Sequence, residues 1–129
     1  MQYMLLIYNP PGDWSSVPAD EQQRIMQAYG SFTEELRDSG KMIAGDALQD
    51  ISTATSIRVR DGETLTTDGP FAETKEILGG YYLVEAPDLD TVLDHASRVP
   101  NVHYGSIEVR PTWDMTQMPE VAGQAQAQA

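Results

Sequence analysis

A chain of 129 residues with 20 acidic and 8 basic side chains, a formal net charge of -12 and no cysteine suits one domain whose core needs no staples. The missing cysteines exclude disulfides, thiolate metal sites and Cys nucleophiles, and an acidic surface without any basic run speaks against nucleic acid as a partner. The opening Met1-Gln2-Tyr3 has no basic stretch and no cleavage site behind it, and no apolar run reaches membrane-spanning length, so the expectation is a cytoplasmic protein with no membrane association.

Residues 3–8 are apolar on both alternating faces, with Tyr3, Leu5 and Ile7 on one and Met4, Leu6 and Tyr8 on the other. That pattern predicts a strand buried on both sides. Residues 9–16 are loop by composition, and Trp14 within them is read as a lid or packing residue, with ligand stacking as the alternative. A helix follows from Pro18 to Gly40. Asp20 and Glu21 suit its positive end, Ser16 or the Val17 carbonyl region caps it, and Ile25, Tyr29, Phe32 and Leu36 make its buried face. Gln22, Gln23, Glu34, Glu35 and Asp38 are expected to face water.

A short strand over Met42-Ile43-Ala44 is expected to break at Gly45 and Asp46. Thr53 to Arg60 alternates as a half-buried antiparallel strand would, with Thr55, Ile57 and Val59 inward. Asp61-Gly62 is a type I′ hairpin signal returning the chain along 63–67. A strand over 77–85 is apolar on both faces. After Pro87 a second helix is capped by Asp88, buries Leu89, Val92, Leu93 and Ala96, and stops at Pro100. A last strand covers Ser106 to Arg110. The order β, α, β, extra hairpin, β, α, β predicts an α+β, ferredoxin-like βαββαβ sandwich with an added β-hairpin over residues 1–111. Residues 112–129 form an extension ending in a low-complexity tail. Two helices cover one face of a sheet whose strands are apolar on both, so a homodimer with sheets packed face to face is expected.

Between the hairpin and the strand over 77–85 lies Asp68-Gly69-Pro70-Phe71-Ala72-Glu73-Thr74-Lys75-Glu76. Gly69 admits backbone angles closed to other residues, and Pro70 fixes its own φ and biases its neighbour toward extended geometry, so a stiff bend is expected. Asp68 is a candidate general base if partly desolvated beside Phe71; its alternative role is to close the turn through its own side chain. Lys75, one of two lysines, is a candidate anchor for a carboxylate, phosphate or enolate, or else an ion-pair partner of Glu73 or Glu76. Arg58, Arg110 and Glu108 project from alternating strands, toward an inter-sheet cavity or toward solvent. The chain has no Walker loop, no Gly-x-Gly-x-x-Gly, no Gly-x-Ser-x-Gly and no His pair at metal spacing. His95 suits a helix C-terminus and His103 a loop, and neither points to a metal or cofactor.

The bend together with Leu78-Gly79-Gly80-Tyr81-Tyr82 resembles the signature of the DGPF, or YCII-related, protein family. Tyr3-Met4-Leu5-Leu6-Ile7-Tyr8, Ala54-Thr55-Ser56-Ile57-Arg58, Asp88-Leu89-Asp90 and Glu108-Val109-Arg110-Pro111 are similar to it as well, so the resemblance spans residues 1–111. It implies a dimeric α+β barrel. It also implies a largely uncharacterised bacterial group, some of whose members are associated with extracytoplasmic-function sigma factors. Relatives in the wider superfamily act on small aromatic or lactone-like metabolites through a His-Asp pair, which this chain lacks in its first strand and first helix. The functional expectation is a small-molecule-binding protein or a lyase- or isomerase-like enzyme with its pocket near the bend. Asp68 or Glu73 would move the proton, and Arg58, Phe71, Lys75 and Tyr82 would hold a small anionic or aromatic metabolite, with no metal and no cofactor. The alternative is a non-catalytic regulatory or protein-binding module linked to such sigma factors.

Overall fold

The computed structural model describes residues 1–12, 14–70, 75–114 and 116. Among these residues, six strands and two helices run in the order β1 (Gln2–Asn9), α1 (Ala19–Asp38), β2 (Met42–Ala47), β3 (Thr55–Arg60), β4 (Glu63–Asp68), β5 (Ile77–Glu85), α2 (Leu89–Ser97) and β6 (Ser106–Pro111), with short 3₁₀ turns at Trp14–Ser16, Ile51–Thr53 and Pro100–His103. The main sheet has the strand order β2-β5-β1-β6, with every neighbouring pair antiparallel. Setting the hairpin aside, this is the ferredoxin-like α+β arrangement, and β3 and β4 form a separate two-stranded sheet.

Register explains the two-sided strands. Tyr3 pairs with Val84, Leu5 with Tyr82 and Ile7 with Gly80. These side chains meet Phe32 and Leu36 of α1 and Val92 and Ala96 of α2 in one core. Met4 and Leu6, one position along, pair with Leu83 and Tyr81 on β5 and with Arg110 and Glu108 on β6. They occupy the opposite face, on which no helix lies among the described residues. Side-chain period two makes that division unavoidable.

Several elements depart from the sequence reading. β2 continues through Gly45 and Asp46, which pair with Tyr82 and Tyr81. Glycine is used there because a Cβ would lie 2.9 Å from the Tyr82 ring. The position accommodates a neighbour and does not end the strand. α1 begins one residue later than expected, with Pro18 at its N-cap and no side-chain cap. The Gln22 amide reaches back to the carbonyls of Trp14 at 2.8 Å and Val17 at 3.0 Å, tying the preceding turn down. In α2 the Asp88 carboxylate accepts from the Thr91 N–H at 2.8 Å as expected, but Leu89 and Leu93 are about half exposed and the buried stripe is Val92 and Ala96. A nine-residue helix resting on one sheet buries a narrow stripe only.

The hairpin is the largest departure. Its turn has the expected positive φ at Asp61 (53°) and Gly62 (75°), and β3 pairs with β4 in register from Thr55↔Asp68 to Arg60↔Glu63. Ile57 and Val59, expected to be inward, are 68% and 58% exposed. Alternation correctly indicates a strand, but among the described residues no layer covers its apolar side. The strand also starts at Thr55 rather than Thr53, because Asp50 caps a 3₁₀ turn by accepting from the Ser52 N–H.

Candidate functional site

The Asp-Gly-Pro bend is pinned at both described ends. Gly69, at φ 100°, donates its N–H to the Ala54 carbonyl at 2.7 Å, and its own carbonyl accepts from the Ser56 hydroxyl at 2.7 Å. Such a φ is open to glycine and costly for other residues. At the far end the Ser106 hydroxyl donates to Glu76 at 2.8 Å, joining the start of β5 to the start of β6. Asp68, Lys75 and Arg58 are exposed. Phe71 and Glu73 fall outside the described residues, as does the low-complexity tail over 119–129.

A separate feature is a cleft of about 730 Å³ between α1 and the β2–β5 edge of the sheet. One stripe of α1 (Tyr29, Gly30, Thr33, Glu34 and Arg37) forms one wall, a set that helical periodicity brings to a single face. Asp46 of β2, Gly79 to Tyr82 of β5 and Asn9 of β1 form the other. A β-bulge shapes that wall: Ile7 pairs with Gly80 but Tyr8 pairs with Leu78, leaving Gly79 as the extra residue. A Cβ at Gly79 would lie 2.8 Å from the Asn9 amide, so the bulge glycine makes room for that side chain.

Of the six residues singled out from the sequence, the cleft is lined by Tyr82 and by none of Arg58, Asp68 or Lys75. Tyr82 is 8% exposed, shares a 2.7 Å hydrogen bond with the Thr33 hydroxyl, and meets Phe32 edge to face with centroids 5.3 Å apart. Tyr29 sits deeper. Desolvation, then the neighbouring phenols of Tyr104 and Tyr82, push its phenol well above the ordinary range, so it remains protonated at neutral pH. The Asn101 backbone hydrogen-bonds to Tyr29. The fully buried Asn101 amide donates to the Tyr8 carbonyl at 3.1 Å and to Asn9 Oδ1 at 2.9 Å, and its own Oδ1 has no partner among the described residues. Across the edge strand Tyr81 approaches Asp46 at 3.4 Å.

Arg37, Glu34, Asp46 and Gly30 were not legible as site residues. Glu34 lies on the water-facing side of α1, as its sequence position predicts, and the cleft borders that side. The available signal was Gly30, a glycine in mid-helix directly after an aromatic residue. Among the described residues no three His, Asp or Glu side chains gather as metal ligands, and no helix is long and apolar enough to cross a membrane.

The model of the YCII-related domain matches residues 1–116. The chain belongs to the YCII-related family. An uncharacterized protein of Rhizobium meliloti (strain 1021) is 37% identical to this YCII-related chain over 113 residues, which is 86% of this chain and 91% of the relative. Among solved structures, the 5-chloro-2-hydroxyhydroquinone dehydrochlorinase of Burkholderia phenoliruptrix AC1100, in complex with 2,5-dihydroxybenzoquinone, superposes with a TM-score of 0.51 at 15% identity, covering 88% of this chain and 94% of that one. At that identity the likeness establishes a shared fold.

Proposed function

We propose that this YCII-related chain binds a small, ring-sized polar metabolite in the cleft between α1 and the β2–β5 edge, as a binding protein or as an enzyme of the lyase or isomerase type. The observation that carries the reading is the cleft's composition. Tyrosine walls supply flat apolar surface, Arg37 and Glu34 stand together on the helix wall, and Asp46 of β2 borders the cleft on the sheet side. A concave, mainly apolar site with a few placed polar groups is the usual form of a small-ligand pocket. Arg37 is the group for a carboxylate or phenolate, and the carboxylates are groups for ligand hydroxyls or for proton transfer. The residues proposed from the sequence, Asp68, Glu73, Arg58, Phe71 and Lys75, make a rival proposal centred on the bend, and of the described candidates Tyr82 also lines the cleft.

The test is a thermal-shift screen with 2,5-dihydroxybenzoate, 4-hydroxybenzoate and 2,5-dihydroxybenzoquinone on wild type and on four variants. Loss of the ligand shift in Arg37→Met and Asp46→Asn but not in Asp68→Asn or Lys75→Met supports the cleft. The reverse pattern supports the bend, and no shift with any compound refutes both for this ligand class.

One observation favours a second reading, a protein contact. The hairpin exposes Ile57, Val59 and Leu65, and the face of the sheet opposite α1 and α2 carries Met4, Leu6, Tyr81 and Leu83. A homodimer formed over that face, and a regulatory partner at the hairpin, are the proposed occupants. Light scattering at micromolar concentration that returns a monomer refutes the dimer.

A further inference from the structure

Gly30 lies in the middle of α1, where glycine is less favourable than alanine because it loses more backbone freedom on folding. Of the other described glycines, all but Gly12, which lies in the loop before α1, have structural causes. Gly40, Gly62 and Gly69 take positive φ, and Gly45, Gly79, Gly80 and Gly105 sit where a Cβ would press on a neighbour. Gly30 has neither cause. Its φ is helical, and among the described residues nothing beyond its own helix backbone and chain neighbours comes within 4 Å of where its Cβ would stand. Yet it lines the cleft, with Tyr29 before it and Thr33, Glu34 and Arg37 after it on the same wall. The chain therefore keeps bare helix backbone facing open space in the proposed site.

We propose that Gly30 is a specificity-determining contact: a planar ring bearing an anionic group lies against the exposed backbone of α1 at Gly30, with its anionic end toward Arg37. The inference rests on the cleft reading above and names the ligand class for that site. Seven residues separate the two positions, about 10.5 Å along a helix axis. Helical side chains lean toward the N-terminus, so Arg37 reaches back toward Gly30 and shortens the interval to the span of a single substituted ring. Among the described residues Arg37 forms no ion pair, so its charge is available to such a ligand in a protein that is otherwise strongly acidic. A methyl group at position 30 would occupy the plane the ring needs.

The experiment compares wild type, Gly30→Ala and Gly30→Leu by thermal melting without ligand and by calorimetric titration with 2,5-dihydroxybenzoate. Gly30→Ala is expected to raise the ligand-free Tm by about 2–4 °C, because alanine is the better helix former and meets nothing. It is also expected to weaken binding at least about tenfold, the cost of overpacking a close contact, and Gly30→Leu is expected to abolish it. Stability and affinity moving in opposite directions is a signature that a purely structural glycine would not give. If wild type binds and Gly30→Ala binds equally well, the inference is overturned while the cleft reading stands. Unchanged affinity with an altered dimer mass also overturns it, assigning the bare backbone to a second copy of the chain. If wild type does not bind the compound, the ligand class and this inference fall together, and a Tm rise in Gly30→Ala alone cannot rescue them.

Discussion

Replacing Tyr82 with phenylalanine isolates one hydrogen bond in the wall of the cleft. The ring keeps its buried position, at 8% exposure, and its edge-to-face contact with Phe32, while the 2.7 Å bond to the Thr33 hydroxyl is lost. A neutral intramolecular hydrogen bond contributes about 0.5–1.5 kcal/mol net. Thr33 borders the cleft, so its hydroxyl can turn to water once the partner is gone, which places the expected cost near 1 kcal/mol, or about 3–5 °C in Tm for a chain of this size. Tyr82→Ala removes the ring as well and is expected to cost about 3–5 kcal/mol. Urea titrations followed by circular dichroism, at one fixed protein concentration because of the proposed dimer, give both values. Thr33→Val should cost about as much as Tyr82→Phe, and the double variant little more than either, since the two changes delete the same bond. Additive costs in that cycle would refute the pairing of the two hydroxyls, and with it the idea that Tyr82 fixes the distance between α1 and the sheet.

Other outcomes follow from single positions. Gly105→Ala is expected to destabilise by about 1–3 kcal/mol, because its Cβ would press on the Tyr8 carbonyl and lie 3.0 Å from the Asn101 amide; urea unfolding checks it. Asp88→Ala should lower Tm by a few degrees by removing the cap on α2, whereas Asp88→Asn should retain the cap. In the native protein the Thr91 N–H and hydroxyl hold the Asp88 carboxyl below its ordinary 3.8, so the cap's contribution is full above that value and fades as pH falls through the folded one. His95 acts in a higher window. Burial first, then the Arg98 guanidinium that lies 2.8 Å from its Nδ1, hold the imidazole below its ordinary 6.5, with Lys41 adding to that and Asp94 and Glu35 opposing it. Just below 6.5 the unfolded chain binds more protons than the folded one, so Tm should fall as pH drops through that window. His95→Gln should flatten that part of the profile.

The sandwich was legible because its signals are local and repeated. Alternation through Tyr3 to Tyr8 marked both faces of β1, Asp61-Gly62 marked the hairpin turn, and Asp88 marked the start of α2. Where the reading missed, the deciding quantity was a distance between segments far apart in sequence. Gly45 reads as a strand breaker until the Tyr82 ring is seen to lie across it on the neighbouring strand. The alternation of Ile57 and Val59 correctly gives a strand, but alternation reports which residues share a face and not whether anything covers that face. The site divides in the same way. The Asp-Gly-Pro-Phe bend is conspicuous because several unusual residues are consecutive, and its described ends are held by hydrogen bonds to Ala54, Ser56 and Ser106. The cleft is assembled from Arg37, Asp46, Asn9 and Tyr82 on four different elements, none unusual where it stands. In the sequence Tyr82 stands out through its place beside the bend, yet its side chain points to the helix face and bonds to Thr33. The bulge at Gly79 moves β5 out of simple register just where Asn9 enters the cleft. A bulge is set by pairing, which a single sequence does not display, so the conspicuous motif could be found by reading along the chain, whereas the cleft emerges only from how α1, β1, β2 and β5 pack.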